Sequence, residues 1–140
     1  MSKQHTILNP VSLKGVGIHT GKEVNLTFKP AKENFGYVFC RVDLPNNPTI
    51  EANINFVVNT ERGTNLEKNG IKIKTTEHVL AALVGTEIDN VLIEMDSSEP
   101  PIMDGSSKFF IESLKKAGIK QQNSNRNEYV VKEVISYYDE

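Results

Sequence analysis

The hydrophobic period of the sequence changes near residue 76, and this change restricts the chain to folds that separate strands from helices. Before that point apolar and polar residues alternate, as Val24, Leu26 and Phe28 do among their polar neighbours. Alternation with a period of two is typical of half-buried strands. After that point two segments carry apolar residues at helical spacing. The pattern predicts an α+β domain, with a small, mostly antiparallel sheet and two helices packed on one face.

Turn and cap residues predict where these elements begin and end. Asn69-Gly70 is a strong hairpin signal between two short strands. A first helix over residues 76–85 could be capped by Thr75 or Thr76. A second helix follows 106–107, where either serine could cap it, and Gly118 ends it.

Composition and charge exclude several classes of protein. The 140 residues fit one domain, and 38% hydrophobic with 24% charged residues is typical of soluble globular proteins. No apolar run approaches the roughly 18 residues of a membrane span, and the first residues lack a signal-peptide core. The net charge of -2 disfavours nucleic acid as a partner, and one cysteine, Cys40, excludes an internal disulfide. We expect a cytoplasmic protein.

The last twenty residues predict a domain boundary. Residues 123–128 are polar and read as a linker after a domain spanning 1–122. Residues 129–140 then resume a β-branched, strand-like pattern. This strand either docks on the first sheet or begins a second domain, and the linker favours the second interpretation.

Adjacent residues Glu77 and His78 form the most suggestive polar pair. Neighbours on a helix point about 100° apart, so the two side chains cannot serve each other but can face one cleft. The positive end of the helix dipole favours a neutral imidazole, which a metal ligand requires, and an ionised carboxylate, which a general base requires. With neither a His-Glu-x-x-His motif nor a pair of cysteines, the residues alone define no enzyme class.

The other two histidines differ in their surroundings. His19 lies on a glycine-rich turn, where the backbone can approach a ligand closely and an imidazole can donate a hydrogen bond. His5 lies in a strand-like segment and is more simply a surface or satisfied core residue.

Three segments in this order resemble one family: residues 15–21 (GVGIHTG), 76–83 (TEHVLAAL) with 88–90 (IDN), and 101–106 (PIMDGS). They are similar to the N-terminal domain of the UDP-3-O-acyl-N-acetylglucosamine deacetylases, the zinc amidases of lipid A synthesis. The resemblance spans nearly the whole chain. It implies that this is the first of two similar α+β domains, with the active site between them.

The resemblance also implies roles for individual residues. His78 would be the zinc ligand that this domain gives, Glu77 the general base that activates the attacking water, and His19 a residue near the sugar of UDP-3-O-acyl-N-acetylglucosamine. The remaining zinc ligands would lie in the second domain, outside this chain. A hydroxyacyl-carrier-protein dehydratase is fused to the enzyme in some bacteria. Since one imidazole cannot hold zinc tightly, we expect the chain alone to be inactive and metal-poor.

One segment departs from the family pattern, and one alternative function stays open. Residues 61–63 (ERG) are charged where some family members are apolar. The alternative is a non-catalytic α+β module that binds RNA or a partner protein, because a fold does not fix a function. The near-neutral charge counts against RNA.

Overall fold

The computed structural model describes residues 2–139 of the chain. Ten strands, two α-helices and a short 3-10 turn follow one another within these residues. They are β1 (Lys3–Ile7), β2 (Val11–Val16), β3 (Glu23–Pro30), β4 (Tyr37–Arg41), β5 (Thr49–Glu51), the 3-10 turn (Ile54–Phe56), β6 (Val57–Asn59), β7 (Asn65–Lys68), β8 (Ile71–Ile73), α1 (Glu77–Gly85), β9 (Val91–Met95), α2 (Lys108–Ala117) and β10 (Ile119–Asn125).

The strands form one main sheet and two small ones. The main sheet has the order β2-β3-β9-β4-β5, and only its β4–β9 pair is parallel. Strands β6, β7 and β8 form an antiparallel meander, and β1 pairs with β10. The predicted α+β class and mostly antiparallel sheet are confirmed.

The core lies between one face of the main sheet and the two helices. The alternating residues Val24, Leu26 and Phe28 of β3 are fully buried, whereas the polar residues between them are exposed or half-buried. The ring of Phe28 meets Phe110 of α2 edge-on, with 6.4 Å between centroids. The predicted packing of helices on one face is thereby confirmed.

The hairpin signal at Asn69-Gly70 is also confirmed. These residues join β7 to β8 with φ values of 51° and 78°. Positive φ at both central positions defines a type I′ turn, whose twist matches the flanking strands. The turn fixes the register of the meander from which the chain enters α1.

The predicted helix caps are only partly right: of the two serines expected at the start of α2, Ser106 accepts a hydrogen bond from the backbone N–H of Lys108, at 3.1 Å. Thr76 and Ser107 occupy the N-cap positions of α1 and α2, but neither side chain makes a capping hydrogen bond. The Thr76 hydroxyl donates instead to the carbonyl of Thr64, at 2.9 Å, and the Ser107 hydroxyl donates to the carbonyl of His78, also at 2.9 Å. Both hydroxyls therefore join one element to another.

The chain after α2 differs from the predicted linker. Strand β10 runs through Asn125, so the first part of the 123–128 segment pairs with β1. Side-chain hydrogen bonds explain this polar strand: Gln122 donates to the Ala31 carbonyl, and Ser124 donates to Glu33. Composition alone could not show these partners.

Beyond the strand, Arg126 holds Asp89 through two nitrogens, with a shortest distance of 2.7 Å. Residues 129–139 lie outside every helix and strand and are exposed, so docking on the first sheet is not observed. Neither of the helices within 2–139 is long and apolar enough to cross a membrane.

Candidate active site

The structure places Glu77 and His78 as the first two residues of α1. Their side chains are 38% and 29% exposed, so both reach solvent at the helix start. Glu77 Oε1 lies 4.0 Å from His78 Nδ1, which is too far for a hydrogen bond. As the spacing predicts, the two side chains are neighbours that do not bond to each other, so each remains available to a ligand.

A loop between β6 and β7 holds one oxygen of the Glu77 carboxylate. The backbone N–H of Thr64 donates to Glu77 Oε2, at 2.9 Å. A Cβ added to Gly63 would lie 3.3 Å from Oε1, so glycine allows the loop backbone to come this close. The loop fixes the carboxylate through one oxygen and leaves Oε1 on the side of His78.

The same loop is fixed to the start of α1. The Thr64 carbonyl accepts from the backbone N–H of Thr76, at 3.0 Å, and from its hydroxyl. One residue earlier, the N–H of Thr75 donates to Asn65 Oδ1, at 3.0 Å. Glu77 is therefore held between a loop and a helix start that are bonded to each other.

His19 also contacts this loop. It lies on the turn after β2, and its Nε2 is 3.2 Å from the carbonyl oxygen of Arg62. Since Thr64 follows Arg62 by two positions, one short loop contacts both His19 and Glu77. The structure thus brings His19 and Glu77 to the 62–64 loop, with His78 beside Glu77.

A polar depression of about 240 Å³ lies beside the loop. It carries cationic, anionic and amide groups together, and it is lined by His19, Asn59, Glu61, Arg62, Asn65 and Lys74. Such a lining suits a polar ligand with several hydrogen-bonding groups.

Glu99 belongs to this region, although the sequence interpretation missed it. Its side chain is fully buried. Glu99 Oε2 accepts from the backbone N–H groups of Thr20, at 2.9 Å, and His19, at 3.1 Å. Glu99 Oε1 accepts from the Thr75 hydroxyl, at 2.8 Å. The only sequence signal is an acid directly before two prolines, a segment that reads as a stiff connector.

The surroundings of Glu99 keep it ionised. Burial raises the pKa of a carboxyl group, but the hydrogen bonds from the Thr20 N–H, the Thr75 hydroxyl and the His19 N–H outweigh that effect. The pKa of Glu99 therefore lies below its ordinary value of 4.5. The Glu99 carboxylate therefore carries a buried negative charge at neutral pH.

The other two candidates lie elsewhere or have packing roles. His5 is on β1, where its backbone N–H donates to Asp89, and its buried Nδ1 has no hydrogen-bond partner among the described residues. Cys40 is buried in β4, as expected for a packing residue.

The side chains at the start of α1 fit one part of a metal site. Within residues 2–139, no group of three or more histidine, cysteine or acidic side chains is placed to hold a metal ion. The imidazole of His78 is partly exposed and has a carboxylate beside it, which suits a single metal ligand.

A carboxylate and an imidazole thus lie at the start of a helix, and a second imidazole contacts the neighbouring loop from the turn after β2. The chain belongs to the UDP-3-O-acyl N-acetylglycosamine deacetylase family, whose sequence model matches residues 4–140.

Curated relatives include both single and fused enzymes. The bifunctional enzyme LpxC/FabZ of Chlorobaculum tepidum is 48% identical over 136 residues, which are 97% of this chain and 29% of the relative. The enzyme of the same name from Bacteroides thetaiotaomicron is 42% identical over 140 residues, 100% of this chain and 30% of the relative. The UDP-3-O-acyl-N-acetylglucosamine deacetylase of Coxiella burnetii is 43% identical over 135 residues, 96% of this chain and 45% of the relative. The chain spans less than half the length of each.

Proposed function

We propose that this chain is the N-terminal domain of a zinc-dependent hydrolase that removes the N-acetyl group from UDP-3-O-acyl-N-acetylglucosamine in lipid A biosynthesis. The observation that carries the proposal is the pairing of Glu77 with His78 at the open start of α1. Family membership supports the same reaction, because relatives named as this deacetylase align with nearly all of the chain.

His78 and Glu77 have different proposed roles at the reacting centre. His78 would contribute one ligand to zinc, which when bound polarises a carbonyl and lowers the pKa of water. Glu77 acts as the general base: with Oε2 held by the Thr64 N–H, Oε1 takes the proton of the attacking water. Attack on the acetamide carbon breaks the C–N bond, acetate leaves, and the proton passes to the nitrogen, which becomes the free amine.

His19 is proposed to bind the substrate. Its ring stands at the rim of the depression beside Arg62, and a ring nitrogen there can donate to a hydroxyl of the sugar. His19 contacts the loop at Arg62, two positions before the residue whose N–H holds Glu77.

The rest of the machinery is proposed to come from a second domain. It would supply the remaining zinc ligands and cover the site, so we expect the present chain alone to be inactive. A fused dehydratase is a further possible partner, because two relatives are named as bifunctional LpxC/FabZ enzymes.

Glu77→Gln and His78→Ala, made in the complete deacetylase, test this proposal. Removing a general base costs typically about 10²–10⁴-fold in kcat, and we expect losses of that order when acetate release is measured. Glu112→Gln on the exposed surface of α2 serves as the control and should retain activity. Near-normal deacetylation by both site variants would contradict the proposed roles.

A further inference from the structure

We propose that Glu99 is a positioning residue, whose buried carboxylate fixes the His19 turn relative to the start of α1. The inference rests on the proposed function where it concerns substrate binding by His19. The part that concerns the turn itself rests on hydrogen bonds and packing alone.

On one side, Glu99 holds the turn that carries His19. The backbone N–H groups of His19 and Thr20 both donate to this one carboxylate. Two successive N–H groups converging on one acceptor fix the orientation of the turn, and hence the direction in which the His19 side chain leaves it.

On the other side, Glu99 holds the residue that leads into α1. Thr75 donates its hydroxyl to Glu99 Oε1 and has a φ of 54°, a left-handed conformation that is unfavourable for a β-branched residue. Its backbone N–H is held by Asn65. The strained backbone persists because these partners hold it, and it sets the entry of the chain into the helix that begins with Glu77.

Gly17 shows how tightly the turn wraps the carboxylate. A Cβ built on Gly17 would lie 2.5 Å from Glu99 Oε2 and 2.4 Å from the hydroxyl oxygen of Thr20. Real Cβ contacts are not this short, so only glycine fits while Glu99 stays in place. Glycine at position 17 therefore allows the turn to come this close to the carboxylate.

The cost of this arrangement argues for more than stability. Glu99 is fully buried and ionised, yet it forms no ion pair with a described residue. A buried charge held only by dipoles stabilises a fold no better than apolar packing does. Its distinguishing effect is geometric: Glu99 joins the His19 turn, 80 positions before it, to Thr75 at the start of α1, 24 positions before it.

Amide hydrogen exchange in Glu99→Gln tests the positioning of the turn. Glutamine has the same shape but offers one acceptor oxygen and an NH₂ group that opposes the N–H donors. We expect exchange at His19 and Thr20 to accelerate about tenfold or more, because hydrogen bonds to charged acceptors are the strong ones. Asp96→Asn is the matched control: Asp96 is an exposed carboxylate that accepts from Asn25, so exchange should change there and not at His19.

Gly17→Ala tests the same contact without removing the charge. Its methyl group would meet both Glu99 Oε2 and the Thr20 hydroxyl, so the turn and the carboxylate must separate and exchange at the same two amides should accelerate. Gly85→Ala is the control, since a Cβ there meets nothing within 4 Å. If Glu99→Gln fails to fold, the comparison of Gly17→Ala with Gly85→Ala tests the positioning role of Glu99. Unchanged exchange at His19 and Thr20 in the folded variants would overturn the proposal.

Kinetics in the complete deacetylase test the functional half. Glu99→Gln should raise KM about tenfold and change kcat less, because His19 is displaced while Glu77 keeps its Thr64 hydrogen bond. Faster amide exchange with unchanged KM would show that Glu99 is only structural. His19→Ala with an unchanged KM would instead overturn the substrate role of His19, a failure of the proposed function that leaves the exchange result intact.

Discussion

Two carboxylates near the start of α1 have opposite surroundings, although both accept backbone N–H groups. Glu77 has 38% of its side chain exposed, and one of its oxygens is held by Thr64. Glu99 is fully buried, and donors bind both of its oxygens. Only Glu77 retains an oxygen that can exchange a proton with a substrate or water. Glu99 stays ionised and is fixed in position by donors to both of its oxygens.

Acid should weaken the domain in a way that reports on Glu99. Its pKa is lowered in the fold, so the ionised form stabilises the fold above the unfolded-state pKa, and this stabilisation is lost as the pH falls through the folded-state value. We expect the difference in unfolding free energy between the wild type and Glu99→Gln to shrink below about pH 4.5. Urea unfolding at a series of pH values measures it.

A comparison with Gly85→Ala controls for acid sensitivity of the rest of the molecule. That substitution removes no titratable group, so its difference from the wild type should stay constant with pH. Other carboxyl groups with lowered pKa values, such as Glu33 and Asp43, are present in every variant and cancel. A difference in unfolding free energy between the wild type and Glu99→Gln that does not change with pH would refute this prediction.

The sequence reveals some of these residues and hides others for a physical reason. Glu77 and His78 are adjacent on a predictable helix, so their proximity is local information. The contact between His19 and Arg62 spans 43 positions, and Glu99 meets the His19 turn from 80 positions away. Those contacts depend on how the sheets and loops pack, which no local pattern encodes.

At the scale of elements, the starts of both helices are tied to neighbouring segments through side chains. The Thr76 hydroxyl binds the 62–64 loop region, and the Ser107 hydroxyl binds the first turn of α1. Each hydroxyl satisfies a carbonyl outside its own helix. These two hydrogen bonds connect the start of α2 to α1, and the start of α1 to the loop beside Glu77.

Two consecutive phenylalanines on α2 should differ sharply in their contribution to stability. Phe110 is fully buried against Phe28, whereas Phe109 is 39% exposed. We expect Phe110→Ala to lower the free energy of unfolding by about 3–5 kcal/mol, the usual cost of a large cavity. Phe109→Ala should cost about 1 kcal/mol or less. Equal losses in urea unfolding would show that the packing described for α2 is incorrect.

Elements with an apolar period were predictable, and a polar one was not. Strand β3 alternates strictly, and the β7–β8 hairpin carries its turn signal in two residues. Strand β10 has few apolar residues, and its place is decided by amide and hydroxyl partners such as Gln122 with Ala31. Partners of that kind are visible only after the fold is known.

At the scale of the whole molecule, zinc content should distinguish the isolated domain from the complete enzyme. We expect the purified chain to carry far less than one zinc per molecule, because a single imidazole provides one of about four ligands. The complete deacetylase should hold about one zinc, lost in His78→Ala. Elemental analysis of all three samples makes the comparison. Stoichiometric, tightly held zinc in the short chain would contradict the division of ligands between domains.

The segment after Arg126 should contribute little to the stability of the domain. Residues 129–139 lie outside the sheets, and their large apolar side chains are 61% to 94% exposed. Removing residues 129–140 should change the free energy of unfolding by less than about 0.5 kcal/mol. Truncation after Gly118, which also removes β10 and the Arg126–Asp89 pair, should unfold the protein far more easily. Similar losses for both truncations would disprove this.

The central position of β9 has a consequence for biosynthesis. This strand pairs with β3 on one side and with β4 on the other, so the main sheet is in two pieces until residue 95 is available. On the ribosome, roughly 60 codons after the β2–β3 hairpin and roughly 40 after the β4–β5 hairpin are translated before β9 can pair with their inner edges. Nascent chains are thus more vulnerable to aggregation than the finished domain, and a translational pause before β9 would lengthen that exposure.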